Sequence, residues 1–384
     1  MQPNEKLLDN INVLKKVNKE SDDCYISELG LSNFRNHENY KDNFPNSPIC
    51  VVGKNGTGKT NVLEAISMLQ PGRGIRSSRL QEMVHKDHEA FGINITLNKN
   101  YDQHILGTSF NKSLDKIRKV KLDGDYVSPL SLTKFLGIIS LTPLMDKIFI
   151  ETPSSRRKFI DKITWIFESK HVSDIRSYEK LIRERNNLFK NNITDNKWFK
   201  NLEDQIVDFG IKILFNRSRV LSFLSKEMQL FSSIFPNASI SIIGELEENY
   251  LLVKELDILS EKYRKILYDN RKTDYYKGGT SFGPHRSDLE VYYKDKGLPA
   301  SQCSTGEQKS LLISIILSVC KTFKKYISYC PILLLDEVFA HLDTEKKRAL
   351  SLEIEKLKIQ VFMTGVDESD FMTFDKKSYI IKLK

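Results

Sequence analysis

One stretch constrains this chain more than any other: Gly53-Lys54-Asn55-Gly56-Thr57-Gly58-Lys59-Thr60. The apolar run Pro48-Ile49-Cys50-Val51-Val52 precedes it. Asn61 to Leu69 follows, with Val62, Leu63, Ala65, Ile66 and Leu69 at the spacing of one helix face. Strand, glycine loop and helix in this order predict a phosphate-binding P-loop. Backbone N–H groups wrap a polyphosphate only where no Cβ intrudes, and Gly53, Gly56 and Gly58 supply that freedom. The helix start adds the positive end of its dipole. Lys59 is expected to reach the β- and γ-phosphates, and the Thr60 hydroxyl to hold magnesium. A glycine-rich turn can match this pattern by chance. The flanking strand and helix, and a second nucleotide motif far downstream, argue against that.

The downstream motif is Pro331-Ile332-Leu333-Leu334-Leu335-Asp336-Glu337, an apolar strand ending in two carboxylates. In this Walker B pattern Asp336 is expected to hold the magnesium through its hydration shell. Glu337 is expected to orient or deprotonate the attacking water. Alone, such a strand end could equally be a helix cap. Ser304-Thr305-Gly306-Glu307-Gln308-Lys309 opens a further helix, Ser310 to Cys320. A hydroxyl and a glycine at a helix start make an anion site. Ser304 with Glu307 also reads as a capping box, and the two roles are compatible.

The length of 384 residues predicts two or three domains. Lys plus Arg number 59 against 50 Asp plus Glu, a net charge of +9 that suits a polyanionic partner or, equally, dispersed surface charge. The five cysteines are scattered without a Cys-x-x-Cys pair, which predicts a reducing compartment and no disulfide frame. The seven histidines show no metal-ligand spacing. The longest apolar stretch, Leu311 to Cys320, is too short to span a bilayer, and no signal-type apolar region opens the chain. A cytoplasmic protein without membrane partners is expected.

Along the chain, residues 1–23 read as a polar extension, and 24–151 as strands around the P-loop, with Asp123-Gly124 as a hairpin turn. The strands expected are Cys24 to Asn36, Pro48 to Val52, Phe91 to Leu97, Ile105 to Phe110, Ile117 to Leu122 and the buried run Leu136 to Leu141. Thr152-Pro153 caps a helical pattern that recurs from Phe159 to Leu181. A second helix is expected from Trp198 to Phe235, a strand over Ser239 to Ile243, and a third helix over Tyr250 to Tyr268. The fold expected is therefore α/β: a P-loop ATPase head with mixed and antiparallel sheets, formed by 24–151 and 275–384, and a mainly helical domain inserted at 152–274.

Taken together, the motifs resemble the ABC-type ATPase set, with Asp343 at the D-loop position. That resemblance implies a dimer in which the signature segment of one subunit closes on the ATP of the other. The finer motifs resemble the RecF family of recombination-mediator ATPases. They are the P-loop continued through Asn61-Val62-Leu63-Glu64-Ala65-Ile66, Pro153 to Asp161 with its Arg156-Arg157 pair, Thr280 to Leu289, Ser304 to Lys309 and Leu335 to Asp343. The family implies ATP and Mg2+ as ligands. Lys59, Asp336 and Glu337 would be catalytic, and Gly53 to Thr60, Ser304, Thr305, Gly306, Glu307 and Asp343 would contact nucleotide. It also implies an ATP-dependent clamp on double-stranded and gapped DNA, released by weak ATP hydrolysis, with RecR-type and RecO-type partners in recombinational repair. Three features depart from the family pattern or from the wider ABC class. Glu337 stands where the family often has Asp, Thr142-Pro143 replaces the Q-loop glutamine of transporters and SMC proteins, and Thr364 stands near the place of the transporter switch histidine. The last two suggest slow, gating hydrolysis.

Basic clusters occur at Arg73/Arg76/Arg79, Lys112/Lys116/Arg118/Lys119, Arg156/Arg157/Lys158 and Lys346/Lys347/Arg348. Such groups bind DNA phosphates without sequence preference. Arg73, Arg76, Arg79, Arg156 and Arg157 are the nucleic-acid candidates, although Arg156 and Arg157 suit slightly better a structural pin of the insertion to the ATPase head. The competing readings are an SMC- or Rad50-like structural ATPase, a nucleotide-gated interaction protein with little turnover, and a transport ATPase. Intact Lys59, Asp336 and Glu337 speak against a vestigial site.

Overall fold

A computed structural model describes residues 24–99, 102–229, 233–253, 255–327, 330–374 and 378–383. The extension expected over residues 1–23 lies outside them. Chain packing divides into two units. The first holds the described residues up to Asp146, those of 232–235 and those from Leu312 onward, the second those of 147–231 and 236–311.

The first unit opens with β1 (Cys24–Phe34) and β2 (His37–Asn43), an antiparallel hairpin. Next come β3 (Ile49–Val52), the glycine loop and α1 (Lys59–Ser67). The short α2 (Leu80–Met83) leads to β4 (Ala90–Lys99), β5 (Asp102–Asn111), β6 (Lys119–Leu122) and β7 (Asp125–Tyr126). In β4, Phe91, Ile93, Ile95 and Leu97 alternate inward, the signature of a sheet with one buried face. The turn between β6 and β7 places Asp123 and Gly124 at φ 51° and 98°, as a tight hairpin turn requires. All six residues of β8 (Leu136–Leu141) are buried, as expected for a central parallel strand.

The second unit begins with α3 (Pro153–Phe167), whose Thr152 cap accepts from the Ser155 N–H. It continues through α4 (His171–Lys190), α5 (Asn196–Gln229), β9 (Ala238–Ile243), α6 (Glu245–Val253), α7 (Leu256–Asp269) and α8 (Arg271–Lys277). β10 (Asp288–Tyr293) and β11 (Leu298–Pro299) complete a three-stranded sheet with β9. α9 (Thr305–Tyr326) starts in this unit and runs into the first. There β12 (Cys330–Leu335), α10 (Thr344–Leu357), β13 (Gln360–Gly365) and β14 (Tyr379–Lys382) close the chain's described part.

The first unit has two sheets: a six-stranded antiparallel one, β2-β1-β4-β5-β6-β7, and a five-stranded parallel one, β14-β3-β13-β12-β8. Their apolar faces share a core that includes Ile26, Leu29, Ile95, Val51, Leu334 and Phe362. Buried Gln360 joins them: its side chain accepts from the Ile26 N–H at 2.8 Å and donates to the Ile26 carbonyl at 2.9 Å.

Five features differ from those expected. The polar β2 is an edge strand with no fully buried residue, so it carries no apolar alternation to read. The helical pattern begun at Pro153 breaks between Phe167 and His171, and the one begun at Tyr250 breaks after Val253. The long second helix ends at Gln229 in the described residues rather than at Phe235. The inserted unit extends past Asp274 to Leu311, because β10 pairs with β9 in the register Asp288↔Ile243 to Tyr293↔Ala238. The segment from 275 to 311 therefore belongs with the insertion and not with the head.

Candidate nucleotide site

Strand order places the chemistry. In the parallel sheet β13 lies between β3 and β12, and the C-terminal ends of all three meet at one edge. The glycine loop leaves β3, Asp336 and Glu337 leave β12, and Thr364 lies near the end of β13. Thr60 Oγ1 donates to Asp336 Oδ1 at 2.9 Å, bringing together the two groups expected at the magnesium. Thr364 Oγ1 donates to the same Oδ1 at 2.7 Å and accepts from the Glu337 N–H at 2.9 Å. Glu337 sits at φ 53°, a left-handed conformation that a non-glycine residue adopts at a cost. The Asp336 N–H donates to the Leu141 carbonyl at 2.9 Å, which sets Thr142 beside the carboxylate pair in sequence register with β8.

Lys59 is 4% exposed, and its ammonium donates to the Gly53 carbonyl at 2.7 Å and the Lys54 carbonyl at 3.0 Å. Both of these partners are neutral loop carbonyls. A buried cation with no carboxylate partner among the described residues suits a polyanionic ligand, since charge burial is otherwise costly. The loop's conformation fits as well: Gly56 and Gly58 stand at φ 90° and 96°. A Cβ at Gly58 would come within 2.5 Å of Asn36 Oδ1 and 2.7 Å of His37 Nε2. The residues present therefore fit a nucleotide triphosphate with magnesium.

Three contacts around this loop lay outside the sequence reading. Asn36 Oδ1 accepts from Asn61 Nδ2 at 2.6 Å, and His37 Nε2 lies 3.3 Å from the Gly58 carbonyl. Glu64, fully buried on α1, receives Arg35 at both oxygens, at 2.9 and 2.6 Å. A carboxylate at a core position of the helix was the available signal. Arg76 joins this group, 3.3 Å from Glu64 and 2.7 Å from Asn61 Oδ1. Arg73 and Arg79 are exposed. Arg118 is buried and donates to the Met68 and Gln70 carbonyls, which removes it from the surface cluster expected there.

In the second unit, Ser304 and Glu307 form the expected reciprocal cap. The Ser304 N–H donates to Glu307 Oε2 at 2.8 Å, and the Glu307 N–H lies 3.4 Å from Ser304 Oγ. Lys296 pairs with Glu307 and, together with the Ser304 N–H, holds that carboxyl down at about 2. A Cβ on Gly306 would meet nothing within 4 Å, so among the described residues no neighbour requires glycine there. Asp343, in the first unit, caps α10 by accepting from the Lys346 N–H at 2.8 Å, which lowers its carboxyl.

Arg156 and Arg157 are spent on structure. Arg156 grips Asp288 through Nε at 2.7 Å and Nη2 at 2.6 Å, while Arg157 donates to the Ser287 carbonyl at 2.7 Å. Both contacts lie inside the second unit and fix α3 to the start of β10. These contacts support the structural-pin reading of the pair, Arg156 through both Nε and Nη2 and Arg157 through Nη1.

Residues 25–383 match the family model described as RecF/RecN/SMC N terminal domain. Over 359 residues the chain is 36% identical to the DNA replication and repair protein RecF of Rickettsia prowazekii (strain Madrid E), covering 94% of this chain and 99% of that protein. It belongs to the RecF family. The same protein of Rickettsia typhi (strain ATCC VR-144 / Wilmington) is 35% identical, with the same coverage. Among solved structures, "Structure of the recombination mediator protein RecF-ATP in RecFOR pathway" superposes with a TM-score of 0.79 at 26% identity, covering 92% of this chain and 96% of that one. An Smc head domain from Pyrococcus furiosus superposes at 0.53 with 18% identity and 94% coverage of each chain, a likeness of fold alone. The fold is that of the ABC/SMC-type head, α/β with one parallel and two antiparallel sheets among the described residues rather than a mixed sheet. Among the described residues no helix is long and apolar enough to cross a membrane.

Proposed function

We propose that this chain is an ATP-dependent DNA-binding protein of recombinational repair, an ATP-gated clamp with slow hydrolysis. The observation that carries this reading is the hydrogen bond between Thr60 and Asp336, which unites the two nucleotide motifs at one sheet edge. Lys59 would neutralise the β- and γ-phosphates of ATP. Thr60 and Asp336 would hold Mg2+, which supplies positive charge against the transferring phosphoryl group. Glu337 would orient the water whose oxygen bonds to the γ-phosphorus as the β–γ bridge breaks, and would take the water's proton. The likeness to a structure titled as ATP-bound supports ATP as the ligand.

The other half of the site would come from a second copy of the chain. Ser304, Thr305, Gly306 and Glu307 at the start of α9, with Asp343, would complete it, so that Lys59 and Ser304 meet across a dimer. The open space at Gly306 supports this, because a close approach by another chain is a reason for glycine that this chain does not itself supply. Duplex or gapped DNA, RecR-type and RecO-type partners and a cytoplasmic setting are part of this reading; relatives named for DNA replication and repair, and a structural neighbour named for the RecFOR pathway, support its repair setting. The net charge of +9 and exposed Arg73 and Arg79 suit the DNA.

The test measures dimerisation by light scattering and ATP turnover, each with and without duplex DNA. Wild-type protein is expected to dimerise only with ATP and to hydrolyse it faster on DNA. Lys59→Arg should abolish both dimerisation and DNA retention. Gly306→Gln should fold with an unchanged melting temperature yet fail to dimerise. If Lys59→Arg dimerised and held DNA normally, the clamp reading would be wrong. Absent turnover in wild type would favour the structural ATPase instead.

A further inference from the structure

Glu38, His85 and His88 lie together on the first unit, and the nucleotide chemistry uses none of them. Spacing along the chain gave no metal signal, because the third group comes from β2. His85 and His88 flank the turn Lys86-Asp87 that follows α2. The His88 N–H closes this turn by donating to the His85 carbonyl at 3.0 Å, and the ring centroids stand 5.3 Å apart. The His85 N–H donates to the Asn33 carbonyl at 2.8 Å, and Lys112 Nζ donates to the His88 carbonyl at 2.8 Å, so both backbones are anchored. The Asp87 N–H lies 3.5 Å from His85 Nδ1, which leaves Nε2 as that ring's uncommitted nitrogen.

One ligand atom from each of the three residues lies within 4.8 Å of the others. Nε2 of His88 is 3.9 Å from Oε1 of Glu38, too long for a hydrogen bond. It is near the separation of two ligands on one tetrahedral zinc, about 3.3 Å for bonds of roughly 2.0 Å. Two imidazoles and a carboxylate form a donor set for zinc-class cations, whereas magnesium and calcium prefer all-oxygen shells. Glu38 is exposed and the His88 side chain is 37% exposed, which leaves room for a water as fourth ligand. We propose that Glu38, His85 and His88 bind one zinc-class divalent cation, stapling the β1–β2 hairpin to the loop after α2. Asn36 in the turn of that hairpin and His37 at the start of β2 abut Gly58 of the glycine loop.

The test titrates tag-free, chelator-stripped full-length protein with Zn2+ against a chromophoric chelator, and repeats the titration with Co2+ read by visible absorbance. Wild type is expected to take up one equivalent more than the double variant His85→Ala/His88→Ala, with Co2+ bands lacking thiolate charge transfer. Each single His→Ala change should weaken binding at least about 10-fold, by analogy with lost metal-site contacts. Zn2+ should raise the melting temperature of wild type and not of the double variant. Zinc on the cysteines is common to both proteins and cancels in the comparison. If the double variant does not fold, exposed Glu38→Ala serves in its place. Equal uptake by wild type and variant, or thiolate-type Co2+ spectra alone, would overturn the proposal.

Discussion

The hydroxyl of Thr364 bridges the two carboxylate residues at the end of β12. Thr364 is fully buried, donates to Asp336 and accepts from the N–H of Glu337, whose left-handed backbone needs such a restraint. Thr364→Val keeps the shape and removes both hydrogen bonds. It is expected to cost about 1–3 kcal/mol, because a buried N–H loses its partner, and denaturant midpoints measure this. ATP turnover should fall at least about tenfold, the effect of roughly 1.4 kcal/mol at the barrier, as Glu337 loses its orientation. Thr364→Ser should retain most of both. The sequence showed Thr364 only as a substitute for a transporter histidine. Its actual partners depend on β13 lying between β3 and β12, which spacing along the chain does not reveal. That the P-loop and the end of β12 lie at one sheet end was legible for the opposite reason: each is a motif whose local strand, loop and helix fix its position.

At the scale of elements, the helices of the second unit are tied by one buried guanidinium. Arg185 of α4 is 0% exposed. It donates to Glu203 of α5 at 3.0 Å, to Asp274 of α8 at 2.7 Å, to Thr280 at 3.0 Å and to the Leu267 carbonyl at 2.8 Å. Arg185→Leu would leave buried Asp274 without its cation, and Glu203 with Arg271 alone. A loss of about 3–5 kcal/mol is expected, read from chemical denaturation. The helices themselves were visible as 3.6-residue apolar spacing, and Thr152-Pro153 marked a start that the structure keeps. The break between α3 and α4 was not visible, because apolar positions continue on both sides of it. The polar edge strand β2 was missed because an edge strand buries too little to leave a pattern.

Across the molecule, acid should destabilise the second unit through a buried imidazole. His285 accepts from the Tyr178 hydroxyl at 2.7 Å and donates to the Thr280 carbonyl at 3.0 Å. Burial, aided by Arg286 and Arg157 and opposed by the Thr280 carbonyl and Asp274, lowers its pKa from 6.5 to about 4. The folded state thus resists a proton that the unfolded chain accepts, so stability falls as pH drops from 6.5 towards 4, by about 3 kcal/mol at most. Asp161 opens a lower window. Burial would raise its carboxyl, but Arg217 and His171 hold it at about 2, so its contribution is present above 3.8 and lost towards 2. Melting curves from pH 7 to pH 4.5 should show His285→Gln losing less stability than wild type. Sequence alone determined the nucleotide motifs, the α/β class and the presence of an inserted helical block, because local period and loop chemistry are written along the chain. Tertiary structure alone decided that 275–311 joins the insertion, that Arg156 and Arg157 serve Asp288 and Ser287, and that Glu38 meets two histidines. Those outcomes rest on strand pairing and on charges finding partners far away in sequence, which no local pattern records.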